Sequence, residues 1–221
     1  MEGRKSPRRF DPLPEVIPTS KETALVVIDM QYAFAHPDYG IGKMAKERGR
    51  FEVFKYLFAT LPRVISNIQR LERVCRENGI EVMFVNTESY TKDGRDLSPN
   101  YKLRGYFYVA DSKDVQTLEE VKPVGGEIIF KKLSTCAFTS TNIDQVLKYM
   151  GIRKLLATGI RTNYCVETFI RDARDRGYEV VLVEDCCTTL SEEFHRFSCE
   201  VIEDVFCKVK TTDEIIKMIK K

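Results

Sequence analysis

Residues Ala24-Leu-Val-Val-Ile28 form an uninterrupted apolar run that ends on an acid, Asp29. Five apolar residues with no polar alternation predict a strand buried on both faces, as in a parallel sheet covered by helices. The carboxyl end of such a strand is the edge where open α/β sheets bind ligands, so Asp29 lies on chemically useful ground. An aspartate there also suits the cap of a following helix, and the run alone does not separate the two roles.

The same pattern recurs along the chain. Strands are predicted at 24–28, 80–86, 127–130, 154–158, 179–183 and 205–209. Helical spacing lies between most of them. Val64, Ile65, Ile68, Leu71, Val74 and Cys75 mark one apolar face before the stop at Asn78-Gly79. Ile143, Val146, Leu147 and Met150 mark another before Gly151. Alternating β and α segments predict an α/β fold: a single three-layer domain with a six-stranded, mostly parallel sheet, helices on both faces and right-handed crossovers. A chain of 221 residues suits one such domain, assigned to 21–221. Pro12, Pro14 and Pro18 predict that 1–20 is an extended N-terminal arm.

Composition narrows the function classes. A net charge of +2 gives no argument for nucleic acid or membrane partners. No run approaches the ~20 apolar residues of a membrane span, and no apolar segment follows the basic start, so no secretory leader is expected. Seven cysteines in no metal-binding spacing, an odd number, fit a reducing cytoplasm better than a disulfide framework. Cys75, Cys136, Cys199 and Cys207 read as core, and Cys186-Cys187 as packing. Neither the phosphate-loop spacing nor the dinucleotide glycine fingerprint is present.

Two further strand ends carry candidate chemistry. After the strand-like segment at 127–130 come Lys131 and Lys132, one of which alternation directs inward. After Lys154-Leu-Leu-Ala157 the chain reads Thr-Gly-Ile-Arg-Thr-Asn-Tyr-Cys165-Val-Glu-Thr168, and Val166, Phe169, Ile170 and Ala173 then recur at helical spacing. Cys165 therefore sits at a helix N-terminus, with Thr162 or Asn163 as cap and Gly177 as stop. The helix dipole there favours a thiolate, and backbone N–H groups can hold an oxyanion. A buried packing thiol is the competing reading.

Taken together, Asp29 in Val-Val-Ile-Asp-Met-Gln31, Lys132 ahead of Cys136-Ala-Phe138, and Cys165 in its turn resemble the isochorismatase-like cysteine hydrolases. That group includes nicotinamidases, N-carbamoylsarcosine amidases and ureidoacrylate amidohydrolases. The resemblance runs from about Thr23 to about Thr212. It selects Lys132 over Lys131, because the family lysine precedes a Cys/Ser-Ala-Phe element by four residues. It implies a Rossmann-type sheet and an Asp29, Lys132, Cys165 triad that cleaves a C–N amide bond of a small ureido or carbamoyl substrate through an acyl-thioester on Cys165. Backbone N–H groups of Tyr164 and Cys165 are the implied oxyanion hole, and Ile160–Arg161 the implied cis peptide. A homo-oligomer, dimer or tetramer, is expected.

Two segments, 32–56 and 87–126, are too long for ordinary connections and are expected to form a lid and substrate walls. Phe34, Tyr90, Phe138, Arg161 and Asn163 are the expected substrate contacts, and Arg95, Arg104 or Arg161 could meet a carboxylate. Metal-binding relatives use histidines after strand two, where this chain has Asn86-Thr-Glu-Ser-Tyr90 and none. His36 reads as a loop residue and His195 as a solvated helix residue, so no metal and no cofactor are expected. Nicotinamide hydrolysis, vinyl-ether hydrolysis of isochorismate and a catalytically silent binding protein of this fold are the alternatives.

Overall fold

The computed structural model describes residues 11–220. Six strands form one sheet: β1 (Thr23–Ile28), β2 (Glu81–Thr87), β3 (Ile128–Lys132), β4 (Lys154–Ile160), β5 (Glu179–Thr188) and β6 (Lys208–Lys210). Helices α1 (Tyr32–Ala35), α2 (Gly40–Glu47), α3 (Lys55–Glu77), α4 (Pro99–Leu103), α5 (Ala137–Ser140), α6 (Ile143–Tyr149), α7 (Glu167–Asp175), α8 (Glu192–Ile202) and α9 (Thr212–Ile219) separate or follow them. Every strand pairing is parallel, in the order β3-β2-β1-β4-β5-β6.

Period-two alternation sorts the strands between two cores. Leu25, Val27, Phe84, Leu156 and Val181 pack with Leu61, Val64, Ile68 and Leu71 of α3 and Ile215 of α9. Ala24, Val26, Ile28, Leu155, Ala157 and Leu182 face the other way, onto Phe138, Ile143, Leu147, Phe169 and Ile170 of α5, α6 and α7. All six β1 residues are buried, as the apolar run requires.

The strand order places the topological switch between β1 and β4, because β1 leads outward to β2 and β3 while β4 begins the opposite half. Crossovers diverge there, leaving a crevice at the carboxyl edge. Gly159 makes the close pairing possible: at φ +111°, an added Cβ would fall 2.0 Å from the Ile28 carbonyl oxygen.

Several boundaries differ from the sequence reading. Lys131 and Lys132 belong to β3, and β5 continues to Thr188. The last strand is only Lys208–Lys210, since the apolar 205–207 stretch turns after α8 and inserts Cys207 into the core. The first ten residues of the expected arm lie outside the described residues. In its remainder, Val16 is buried, and the Lys208 ammonium donates to the Leu13 carbonyl at 3.3 Å. No described helix is long and apolar enough to cross a membrane.

Candidate active site

Three strand ends and one turn converge at the switch point. β1 ends into Asp29, whose φ of +53° lies in the left-handed region that aspartate tolerates better than most residues. Its N–H donates to the Val85 carbonyl at 2.8 Å, so the chain stays anchored to the sheet as it reverses. β3 delivers Lys132 with a fully buried side chain, while Lys131 points to the opposite face and pairs with Glu88 at 2.7 Å. Beyond β4, Thr162–Val166 forms a turn kinked at Asn163 that brings in Cys165 and runs into α7.

The Lys132 ammonium lies 3.0 Å from Asp29 Oδ2 and 3.6 Å from Cys165 Sγ. Thr87, the last residue of β2, donates its hydroxyl to Asp29 Oδ1 at 3.0 Å and accepts from the Lys132 ammonium at 2.6 Å. Gln31 holds Thr87 in turn: its amide donates to the Thr87 and Val115 carbonyls, and its oxygen accepts the Thr87 N–H at 2.7 Å. Tyr101 OH and the Ser134 carbonyl complete the lysine's surroundings at 3.4 and 3.2 Å.

Electrostatics here reverses one expectation. Burial opposes the Lys132 charge, but Asp29 and Cys165 beside it hold its pKa well above the ordinary lysine value. For Cys165, burial first and then the Asp29 charge push the thiol up to about 12, against the pull of Lys132. The resting group is therefore a buried thiol beside the Lys132 ammonium and the Asp29 charge, not the thiolate expected of a helix N-terminus. The expected caps are also absent. The Thr162 hydroxyl pairs with His195 Nδ1 at 2.8 Å, and the Asn163 side-chain oxygen accepts from Thr189. Gly177 does end α7, at φ +93°. The Ile160–Arg161 peptide is cis. The Tyr164 N–H donates to the Arg161 carbonyl at 3.0 Å, which takes it out of the expected oxyanion pair.

Asp29, Phe34, Ile41, Phe54, Tyr101, Tyr106, Ile160, Arg161, Tyr164 and Cys165 line one narrow cavity of about 20 Å³, with room for about one water. Phe34 and Arg161 are thus where the sequence places them, whereas Tyr90, Phe138 and Asn163 do not line it. Phe138 stacks on Phe169 at 5.0 Å in the α5–α7 core, Tyr90 is exposed, and Asn163 turns toward Thr189. Arg95 pairs with Asp93 at the surface. Tyr101, Tyr106, Phe54 and Ile41 come from the two long segments, whose return to the site carries no local sequence signal. His195 is half-buried rather than solvated. With Glu184 and Cys199 it forms the group of described residues able to hold a metal, their donor atoms within 4.8 Å of one another. That group lies outside the cavity lining.

Ureidoacrylate amidohydrolase RutB of Rhizobium rhizogenes is 31% identical over 189 residues, covering 78% of this chain and 73% of the relative. The protein of the same name from Variovorax paradoxus is 29% identical over 231 aligned positions, covering 93% and 88%. Among solved structures, a cysteine hydrolase from Pseudomonas syringae pv. phaseolicola superposes with a TM-score of 0.83 at 24% identity, covering 96% and 99%. N-carbamoylsarcosine amidase from Thermoplasma acidophilum gives 0.67 at 24%, covering 88% and 98%. The isochorismatase domain model matches residues 23–214, and the chain belongs to the isochorismatase family.

Proposed function

We propose that this protein is a cysteine-dependent amidohydrolase acting on a small ureido or carbamoyl compound. The observation that carries the reading is the buried Asp29–Lys132 ion pair set against Cys165, with Asp29 and Cys165 lining a narrow cavity. Similarity to ureidoacrylate amidohydrolases supports C–N bond cleavage. Asp29 takes the proton of the thiol, and the sulfur forms a bond to the carbonyl carbon. Lys132 pairs with the Asp29 carboxylate and offsets the charge that builds on sulfur, lowering the cost of a thiolate in a buried site. The Cys165 N–H is the proposed oxyanion donor. As the C–N bond breaks, Asp29 returns the proton to the leaving nitrogen. It then takes a proton from water, whose oxygen displaces the sulfur and releases the acid.

Seven buried free cysteines support a reducing, cytoplasmic setting. Phe194 and Phe197 on α8, 50% and 66% exposed, support a homo-oligomer. Ammonia release from ureidoacrylate, N-carbamoyl amino acids, biuret and nicotinamide tests the reading. Turnover of a ureido or carbamoyl compound in preference to nicotinamide is expected. Preference for nicotinamide, or no turnover of any, contradicts it.

A further inference from the structure

The catalytic cavity adjoins a wider vestibule of about 360 Å³, sharing Ile41, Phe54, Tyr106 and Arg161 with it. Arg48, Arg50 and Arg104 line the vestibule with Arg161, and no acidic residue does. The four arginines come from separate segments: Arg48 caps the end of α2, Arg50 precedes the turn at Phe51–Phe54, Arg104 follows α4 and Arg161 follows β4. Six other described arginines, Arg70, Arg76, Arg95, Arg171, Arg176 and Arg196, are in ion pairs. None of these four is among the ion pairs of the described residues. A cleft lined by one sign of charge concentrates counter-ions.

Two of the four are held in place by a relay. Arg104 Nε donates to the Asn100 side-chain oxygen at 3.1 Å. The Asn100 amide donates to Tyr164 OH at 3.0 Å, and the Arg161 guanidinium lies 4.9 Å from the centre of the Tyr164 ring. Tyr164 is next to Cys165, so the relay ties the vestibule's charges to the turn that carries the nucleophile. Between the charges, Met44, Ala45, Val53 and Leu190 supply apolar wall.

Resting on the amidohydrolase reading, we propose that the vestibule is an anion subsite and that the substrate is an amide whose far end carries two or more anionic groups, carboxylate or phosphate. The amide enters the narrow cavity at Cys165. The anionic tail stays in the vestibule, where planar guanidinium groups bind oxyanions in bidentate fashion.

Three ureas with the same reacting head test this at low ionic strength: neutral n-butylurea, N-carbamoyl-glycine with one carboxylate, and N-carbamoyl-glutamate with two. The expected kcat/KM rises by about tenfold per added charge, and the gradient flattens as salt is raised. Replacing Arg48→Ala, Arg50→Ala and Arg104→Ala together is expected to remove the preference mainly through KM. The corresponding Arg→Lys triple should restore part of it. These residues are exposed, so folding is not at issue. Equal kcat/KM for the three ureas, or a preference that survives the triple Ala change, overturns the subsite and leaves amide hydrolysis standing. Should no urea be turned over, the amidohydrolase reading fails separately, and calorimetry with tricarballylate and glycerol 3-phosphate, which contain no amide, still decides. Binding of either by the unmodified protein that is lost in the triple variant upholds the subsite and identifies its oxyanion; binding of neither overturns it.

Discussion

The Lys132 ammonium and the Asp29 carboxylate stand 3.0 Å apart with side chains only 1% exposed, the most deeply buried ion pair among the described residues. Burying two charges costs several kcal/mol each, and their attraction recovers this only with further hydrogen bonds in place. Thr87 supplies such bonds to both partners. Such a pair is weak evidence for stability, and it stands beside Cys165, whose Sγ is 3.6 Å from the Lys132 ammonium.

Asp29→Asn separates the carboxylate's two effects on the cysteine. The negative charge of Asp29 raises the Cys165 pKa, so its removal should shift the pH profile of iodoacetamide alkylation at Cys165 to lower pH. Turnover should nonetheless be lost, because no base accepts the thiol proton. Alkylation profiles measured beside ammonia release check this; an unshifted profile with retained turnover contradicts it.

Lys132→Met should have the opposite effect on the thiol. Lys132 lowers the Cys165 pKa, so its loss should raise the alkylation midpoint and reduce kcat by at least ~100-fold. Lys131→Met removes only a partly exposed contact to Glu88 and should leave kcat within about twofold. Steady-state kinetics of the two variants give the answer. An inactive Lys131 variant beside an active Lys132 variant would put the catalytic lysine one residue away.

Thr87→Val keeps the shape of a buried site but removes hydrogen bonds to both charged partners. Bonds to charged groups are worth about 1.5–3 kcal/mol, so kcat should fall roughly 10- to 100-fold. A loss confined to KM, measured on the best urea, would instead mark Thr87 as a substrate contact.

Much of this arrangement is legible in the sequence, for definite reasons. The apolar run before Asp29 and the period of two at Lys131-Lys132 are local patterns, and local patterns fix strand direction and face. Thr87 escapes because its strand was expected to stop at Asn86, one residue short. Phe138 is misassigned because proximity to Lys132 in sequence does not reveal that α5 packs toward Phe169, under the sheet rather than over its edge. The thiolate expectation for Cys165 counted the helix dipole without burial and the Asp29 charge, both of which depend on long-range packing. Tyr101 and Tyr106 reach the cavity from a long segment whose path depends on tertiary contacts.

Stability offers an independent check on the core. Burial, opposed by Arg76 and reinforced by Glu127, raises the Glu72 carboxyl from 4.5 to about 8. Arg76 spends its bidentate contacts on Glu127, at 2.7 and 2.9 Å, and reaches Glu72 only at 3.3 Å. The native state therefore holds the Glu72 proton more firmly than the unfolded chain does. The contribution of Glu72 to stability is full below about pH 4.5 and declines as pH rises toward about 8. Glu72→Gln should remove this decline, so urea unfolding should show the variant gaining on the parent between pH 5 and pH 8. Parallel pH dependences would contradict the assignment.

The most direct test of the central claim is rapid-quench intact-mass spectrometry during turnover of the best ureido substrate. The account predicts a transient adduct of the acyl or carbamoyl mass on Cys165, discharged by hydroxylamine and absent from Cys165→Ala, which should also release no ammonia. Near-normal turnover by Cys165→Ala, or an adduct mapped to any other residue, would contradict it.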